Sequence, residues 1–168
     1  MENQKHKIVF ITSYPPRECG IATFSKDLTS ALNRLYGATF DIVVCALENG
    51  SVVRDYSNVV QYQLDVNDPD DIGRIAKQLN EDANVAGVCL QHEFGLFSGK
   101  YGKSLLDLLD ELMKPLVTTF HTVLPNPDSE LKTVVKQIVE RSVKTVVMTS
   151  NARQLLVDHY LSDEDKIE

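Results

Sequence analysis

Short apolar runs alternate with amphipathic segments along almost the whole chain, and this alternation constrains the fold more than any other feature. The runs are rich in β-branched residues, which is typical of strands covered by helices on both faces of a parallel sheet. Strands are predicted at 8–12, 40–46, 58–62, 86–91, 116–120 and 144–148, the third being weaker and edge-like. Helices are predicted at 23–35, 68–82, 101–113, 129–141 and 150–159, with Asp68 and Ser150 as caps.

The order strand, helix, strand predicts an α/β fold, with a doubly wound, mainly parallel, Rossmann-like sheet and right-handed crossovers. In such sheets ligands bind at the carboxyl ends of the strands. The connections at those ends are rich in glycine, proline, histidine and charge, whereas the connections at the other ends are plainer. They read TSYPPRECG, QHEFGLFSGKYG, HTVLPNPD and TSNAR.

The overall charge and the cysteine pattern exclude several classes of protein. The chain of 168 residues has 17 basic and 24 acidic residues, a net charge of −7. Its basic residues are scattered, which argues against a nucleic-acid partner. It has no apolar stretch long enough to cross a membrane and no signal-peptide pattern, and its three cysteines lack CxxC spacing. We therefore expect a cytoplasmic protein without structural disulfides or zinc.

Gly20, at the end of the first connection, has two possible roles. It could bring the free amides of a helix N-terminus close to a phosphate, or it could simply permit a tight strand-to-helix turn. The sequence contains neither GxGxxG nor GxxxxGK[ST], and we find no acidic residue placed for a ribose after the second strand. These absences argue against a nucleotide-dependent oxidoreductase.

Two histidines directly follow predicted strands, and each leaves more than one interpretation open. His121 could donate a hydrogen bond to a sugar hydroxyl, could titrate near neutral pH, or could be a satisfied, half-buried imidazole. His92 and Glu93 follow another strand, but no ligand spacing supports a metal site with them. The stretch from Phe94 to Gly102 could close over a ligand or form a compact turn.

Taken together and in order, these loops resemble the family 4 ("group 1") retaining glycosyltransferases of the GT-B fold. The resemblance extends from Ile8 to Ile167 and is carried by four stretches, SYPPRECGIATFSKDL, QHEFGLFSGKYG, TFHTVLPNPD and VVMTSNARQLL. It implies transfer of a sugar, possibly mannosyl or glucosyl, from a nucleoside diphosphate donor to a hydroxyl acceptor with retention. It implies no cofactor and no metal.

The resemblance also implies roles for individual residues. His121 matches a histidine near the reacting sugar, and Gly20 with Ile21 matches the loop whose backbone approaches the donor diphosphate. The acceptor side would be lined by His92, Glu93, Phe94 and Gly95, together with Arg17 and Glu18. The family's common double glycine is replaced here by Cys19 and Gly20, so the contacts of Arg17 and Glu18 stay open.

What the chain resembles is the N-terminal, acceptor-side half of such an enzyme. We expect residues 1–168 to form one domain, with the C-terminal donor-binding domain absent from this chain and the chain alone inactive. The expected partners are the nucleotide-sugar, the acceptor and that missing domain, and peripheral membrane association of the full enzyme stays open. The alternative is a stand-alone, non-enzymatic domain that binds a sugar or a protein.

Overall fold

The computed structural model describes residues 5–50 and 54–168, which form a six-stranded parallel sheet with helices on both faces. This architecture confirms the predicted doubly wound α/β class. The strands are β1 (His6–Thr12), β2 (Phe40–Glu48), β3 (Val60–Asp65), β4 (Val85–His92), β5 (Leu116–Phe120) and β6 (Lys144–Val147). The helices are α1 (Gly20–Tyr36), α2 (Pro69–Glu81), α3 (Leu105–Glu111), α4 (Ser129–Arg141) and α5 (Ser150–Tyr160).

The strand order β3-β2-β1-β4-β5-β6 places the change of winding direction between β1 and β4. The chain leaves β1 for α1 on one face of the sheet, and it leaves β4 for α3 on the other. The two connections diverge, so a crevice opens at the carboxyl ends of β1 and β4, where ligands bind in folds of this type. β3 begins later than the predicted 58–62 but is an edge strand, as expected.

Side-chain caps set the beginnings of two helices differently from the prediction. α1 starts at Gly20, before the predicted 23–35, because Cys19 is extended and its Sγ accepts the amide N–H of the third residue after it at 3.4 Å. α5 is capped by Thr149 and not by Ser150, since the Thr149 hydroxyl accepts an amide N–H of the first turn at 3.1 Å. Each cap satisfies a donor that the helix itself leaves unpaired.

α3 is shorter than the predicted 101–113 because the preceding residues form a turn with left-handed backbone angles. Gly99, Tyr101 and Gly102 have φ values of 81°, 58° and 72°. Tyr101 adopts this unfavourable conformation while its hydroxyl donates to the Asp128 carboxylate at 2.9 Å. A side chain far along the sequence therefore helps to hold the turn, and a local helical pattern could not reveal this.

Two hydrophobic clusters hold the layers together. The larger lies between the sheet and α2, α3 and α4, and it also takes Leu156 and Tyr160 from α5. The smaller lies under α1, with Phe10 and Val44 at its centre. Burial of one large apolar side chain contributes roughly 1.5–3 kcal/mol, so these clusters supply most of the stabilisation. No helix within residues 5–50 and 54–168 is both long enough and apolar enough to cross a membrane.

The end of α5 gives a testable prediction about stability. Leu161 is left-handed, with φ 54° and ψ 38°, and 77% of its surface is exposed. The Cβ of any L-residue is strained in this conformation, by roughly 1–2 kcal/mol, and glycine avoids that strain. We therefore expect Leu161→Gly to raise the free energy of unfolding by about 1 kcal/mol, as measured by urea denaturation.

Leu161→Ala is the matched control, because it removes the exposed side chain but keeps the strained Cβ. Its free energy of unfolding should stay close to that of the unmodified chain. If Leu161→Gly were no more stable than Leu161→Ala, this result would contradict the left-handed conformation of Leu161.

Candidate functional site

The N-terminus of α1 presents unpaired backbone donors at the carboxyl edge of the sheet. The amides of Gly20 and Ile21 have no hydrogen-bond partner within residues 5–50 and 54–168, whereas the next amide is held by the Cys19 thiol. A methyl group built on Gly20 would meet no atom within 4 Å, and the Gly20 backbone is not left-handed. Packing and backbone angle therefore do not require glycine at this position.

His121 lies beside this helix terminus and is held from three sides. Its backbone amide donates to the His92 carbonyl at 3.0 Å, which continues the pairing of β4 and β5. Its Nε2 lies 2.8 Å from the Gln91 amide oxygen. Its ring meets that of Phe24, from the first turns of α1, edge to face with centroids 4.8 Å apart. Burial lowers the pKa of His121, partly offset by the negative charge of Glu93.

Glu93 is tied to the strand ends and orders the connection after β4. One carboxylate oxygen accepts the Thr122 hydroxyl at 2.6 Å, and the other accepts the Phe94 amide at 3.0 Å. These bonds join the connections after β4 and β5 close to His121. The carboxylate consequently has a structural role in addition to the acceptor-side role that the sequence predicts.

His92 was predicted on the acceptor side, and the structure places its imidazole inside the core. The residue is 0% exposed, and neither ring nitrogen has a hydrogen-bond partner within residues 5–50 and 54–168. Its ring packs against Phe94 and Phe120 at centroid distances of 4.9 Å and 4.6 Å. Burial, followed by the charge of His121, lowers the pKa of His92 to about 3. The acceptor role of His92 stays a prediction, and the conformation seen here offers no path from its imidazole to a ligand.

The other acceptor-side candidates lie at or near the surface of the same edge. Arg17 is half-buried, and its guanidinium donates to the Leu47 carbonyl at 3.4 Å, across the gap between the first connection and β2. Glu18 and Gly95 are exposed, and a methyl group on Gly95 would meet no atom within 4 Å. Nothing in the structure tests whether these residues contact an acceptor.

β2 extends beyond the predicted 40–46 and ends on an acidic residue, Glu48. Glu48 belongs to the strand, not to the following loop, and is 5% exposed. One of its carboxylate oxygens accepts from Arg54 and the other from the Tyr56 hydroxyl. Burial, with this hydrogen bond, raises the pKa of Tyr56 above its usual range. Both oxygens are engaged, so Glu48 is not free to bind a ribose in this conformation.

Sequence reasoning missed two residues of the site, Gln91 and Phe24. Phe24 lies within the helix predicted at 23–35, and its ring is 37% exposed and contacts His121. Gln91 was treated as the end of a strand, and the available signal was a polar residue within an otherwise apolar run. Within residues 5–50 and 54–168, no three His, Cys, Asp or Glu side chains are grouped as metal ligands. The expectation of no metal and no cofactor stays a prediction.

Comparisons with known proteins bear on the fold. No protein-family model matches the sequence, and no curated protein matches it. The structure is similar to the crystal structure of a glycosyltransferase from Rickettsia africae ESF-5, with a TM-score of 0.58 and 18% sequence identity. The match covers 98% of this chain and 42% of the Rickettsia chain, so this chain spans less than half of that protein's length. At this identity the likeness shows a shared fold alone.

The sealed imidazole of His92 predicts a specific pH dependence of stability. A histidine in the unfolded chain titrates near pH 6.5, whereas the folded protein holds His92 neutral down to about pH 3. The unfolded state therefore binds an extra proton below pH 6.5, and the folded state loses stability as the pH falls towards 3. The loss should approach about 1.4 kcal/mol per pH unit, or about 2 kcal/mol between pH 6.5 and 5.

His92→Leu removes the titrating group and keeps an apolar side chain of similar volume. Between pH 6.5 and 5, the free energy of unfolding measured in urea should fall by about 2 kcal/mol less in His92→Leu than in the unmodified chain. His159→Leu, at an exposed position of α5, is the control and should leave the dependence unchanged. Equal pH dependence in His92→Leu and the unmodified chain would show that His92 is not buried as a neutral group.

Proposed function

We propose that this chain is the acceptor-side domain of a retaining GT-B glycosyltransferase. The enzyme would move a sugar from a nucleoside diphosphate donor to a hydroxyl acceptor. The observation that carries the proposal is the contact between Phe24 and His121, at 4.8 Å between ring centroids. It brings the first turns of α1 and the histidine after β5 to one edge of the sheet, although they are far apart in sequence. Such an edge suits a ligand with a phosphate end and a hydroxyl-rich end.

The donor diphosphate would bind at the N-terminus of α1. Phosphate is favoured there because unpaired amides and the positive end of the helix dipole act together. The unpaired amides of Gly20 and Ile21, and the open space at Gly20, support this assignment. The same donors would stabilise the negative charge that develops on the departing diphosphate, which accounts for an enzyme that needs no metal for this step.

His121 would lie against the sugar, where it orients the ring or stabilises charge at the reacting carbon. Its half-buried position and its bond to Gln91 hold the imidazole in one orientation, which is what a positioned catalytic group needs. Glu93, Phe94 and Gly95, on the connection after β4, would line the acceptor side. Arg17 and Glu18 would do so from the connection after β1, and His92 would support this surface from beneath.

A second domain completes the proposed enzyme. The Rickettsia glycosyltransferase is more than twice as long as the part that matches this chain, since the match covers 42% of it. We propose that a donor-binding domain faces the edge described above, that transfer needs both domains, and that the complete enzyme acts in the cytoplasm. A mannosyl or glucosyl donor is the first choice for an assay.

Replacement of His121 tests the proposed reaction. In a protein that joins this chain to its donor-binding domain, His121→Ala should lower kcat for sugar transfer by about 100-fold or more, because the reacting sugar would lose a contact that positions it. Transfer would be measured by the release of nucleoside diphosphate from a panel of nucleotide-sugars, with product stereochemistry read by NMR.

His159→Ala, at the exposed position of α5, is the matched control and should keep full activity. Unchanged transfer in His121→Ala would rule out the role given to His121. Absence of transfer from every nucleotide-sugar by the two-domain protein would contradict the proposed function and favour a binding domain.

A further inference from the structure

Gln91 occupies a position that connects the core of the sheet to His121. It is 1% exposed and lies near the end of β4, paired in register with Thr119 of β5. Side chains alternate along a strand, so Gln91 lies on the opposite face from His92. His121 is two residues beyond Thr119 and its amide continues the ladder, which brings its ring to the same face as Gln91. The result is the 2.8 Å contact between Gln91 Oε1 and His121 Nε2.

The chemistry of this contact determines which imidazole nitrogen carries the proton. The Gln91 amide is oriented with its oxygen towards the ring, and since an amide oxygen can only accept, Nε2 is the donor in this arrangement. A neutral imidazole carries one N–H, and burial disfavours the doubly protonated form of His121. Nδ1 is then left with a lone pair. It has no partner within residues 5–50 and 54–168, and unlike the nitrogens of His92 it is not sealed in the core.

We infer that Gln91 is a positioning residue that holds His121 as the Nε2–H tautomer, with Nδ1 directed to accept a hydrogen bond from a substrate hydroxyl. The sugar identity of that substrate rests on the proposed function, whereas the tautomer does not. Donation to a sugar hydroxyl was one of three roles that the sequence left open for His121, and the contact with Gln91 favours the opposite polarity.

This polarity also divides the edge into two chemically different parts. The lone pair of Nδ1 repels the oxygens of a phosphate and attracts an O–H group. The amides at Gly20 and Ile21 can only donate, so they attract the oxygens of a phosphate. The diphosphate therefore belongs at α1 and a hydroxyl belongs at His121, which orients a nucleotide-sugar along the crevice in one direction only.

The tautomer can be measured directly on this chain by NMR. The chain labelled with 15N-histidine would be recorded in long-range 1H–15N spectra at pH 7.5, with the His121 signals assigned by their loss in His121→Gln. We expect a protonated Nε2 and an unprotonated Nδ1. Gln91→Met keeps the length of the side chain without an acceptor, so the single tautomer should give way to a mixture. Gln154→Met, at an exposed position of α5, should leave the spectrum unchanged.

Two results would overturn the inference. One is a protonated Nδ1 in the unmodified chain, and the other is an unchanged tautomer in folded Gln91→Met. Gln91→Leu is a second apolar variant if the methionine variant does not fold. The NMR experiment involves no substrate, so it tests Gln91 independently of the proposed function. If the expected tautomer were found but no sugar were transferred, the role of Gln91 would be supported and the proposed function would be contradicted.

Discussion

The pairing of β1 with β4 is the constraint on which the other features of this protein depend. These neighbouring parallel strands send their connections to opposite faces of the sheet, which opens a crevice at their carboxyl ends. The N-terminus of α1 reaches the crevice from one connection. Gln91 and His121 reach it from β4 and from its other neighbour, β5. If β1 and β4 were not adjacent, the helix terminus and the histidine would lie far apart along that edge.

Two histidines that looked alike in sequence have opposite environments because their side chains lie on opposite faces of the sheet. His92 shares its face of β4 with the buried residues Val88 and Leu90, so its ring enters the larger core. His121 comes directly after β5, and its ring lies on the opposite face of the sheet, half-buried beside Phe24. The His92 imidazole is enclosed by aromatic rings and has no polar partner in the described part of the chain. The His121 imidazole is held by the Gln91 amide through Nε2. The same residue type is thus buried in the core in one place and half-buried at the carboxyl edge of the sheet in the other.

The sequence was sufficient for the fold class because β-branched runs and helical stripes are local signals. The alternation of side chains along a strand could also have placed His92 in the core, because His92 lies four residues after Val88 and therefore on the same face of β4. Other features depend on distant contacts. The left-handed turn at Tyr101 is held by Asp128, and the role of Gln91 depends on the register between β4 and β5. Such pairings follow from the assembled sheet, and no local pattern of residues reveals them.

The central claim is that the N-terminus of α1 binds the diphosphate, and the most direct test is the donor affinity of Gly20→Ala. Calorimetric titration of the two-domain protein with a nucleotide-sugar that it uses should show at least about a tenfold weaker Kd, because a side-chain methyl would hinder the close approach of the diphosphate to the backbone that glycine permits. The free energy of unfolding should not fall, since that methyl meets no protein atom. Gly73→Ala in α2 is the control. An unchanged Kd in Gly20→Ala would contradict the account.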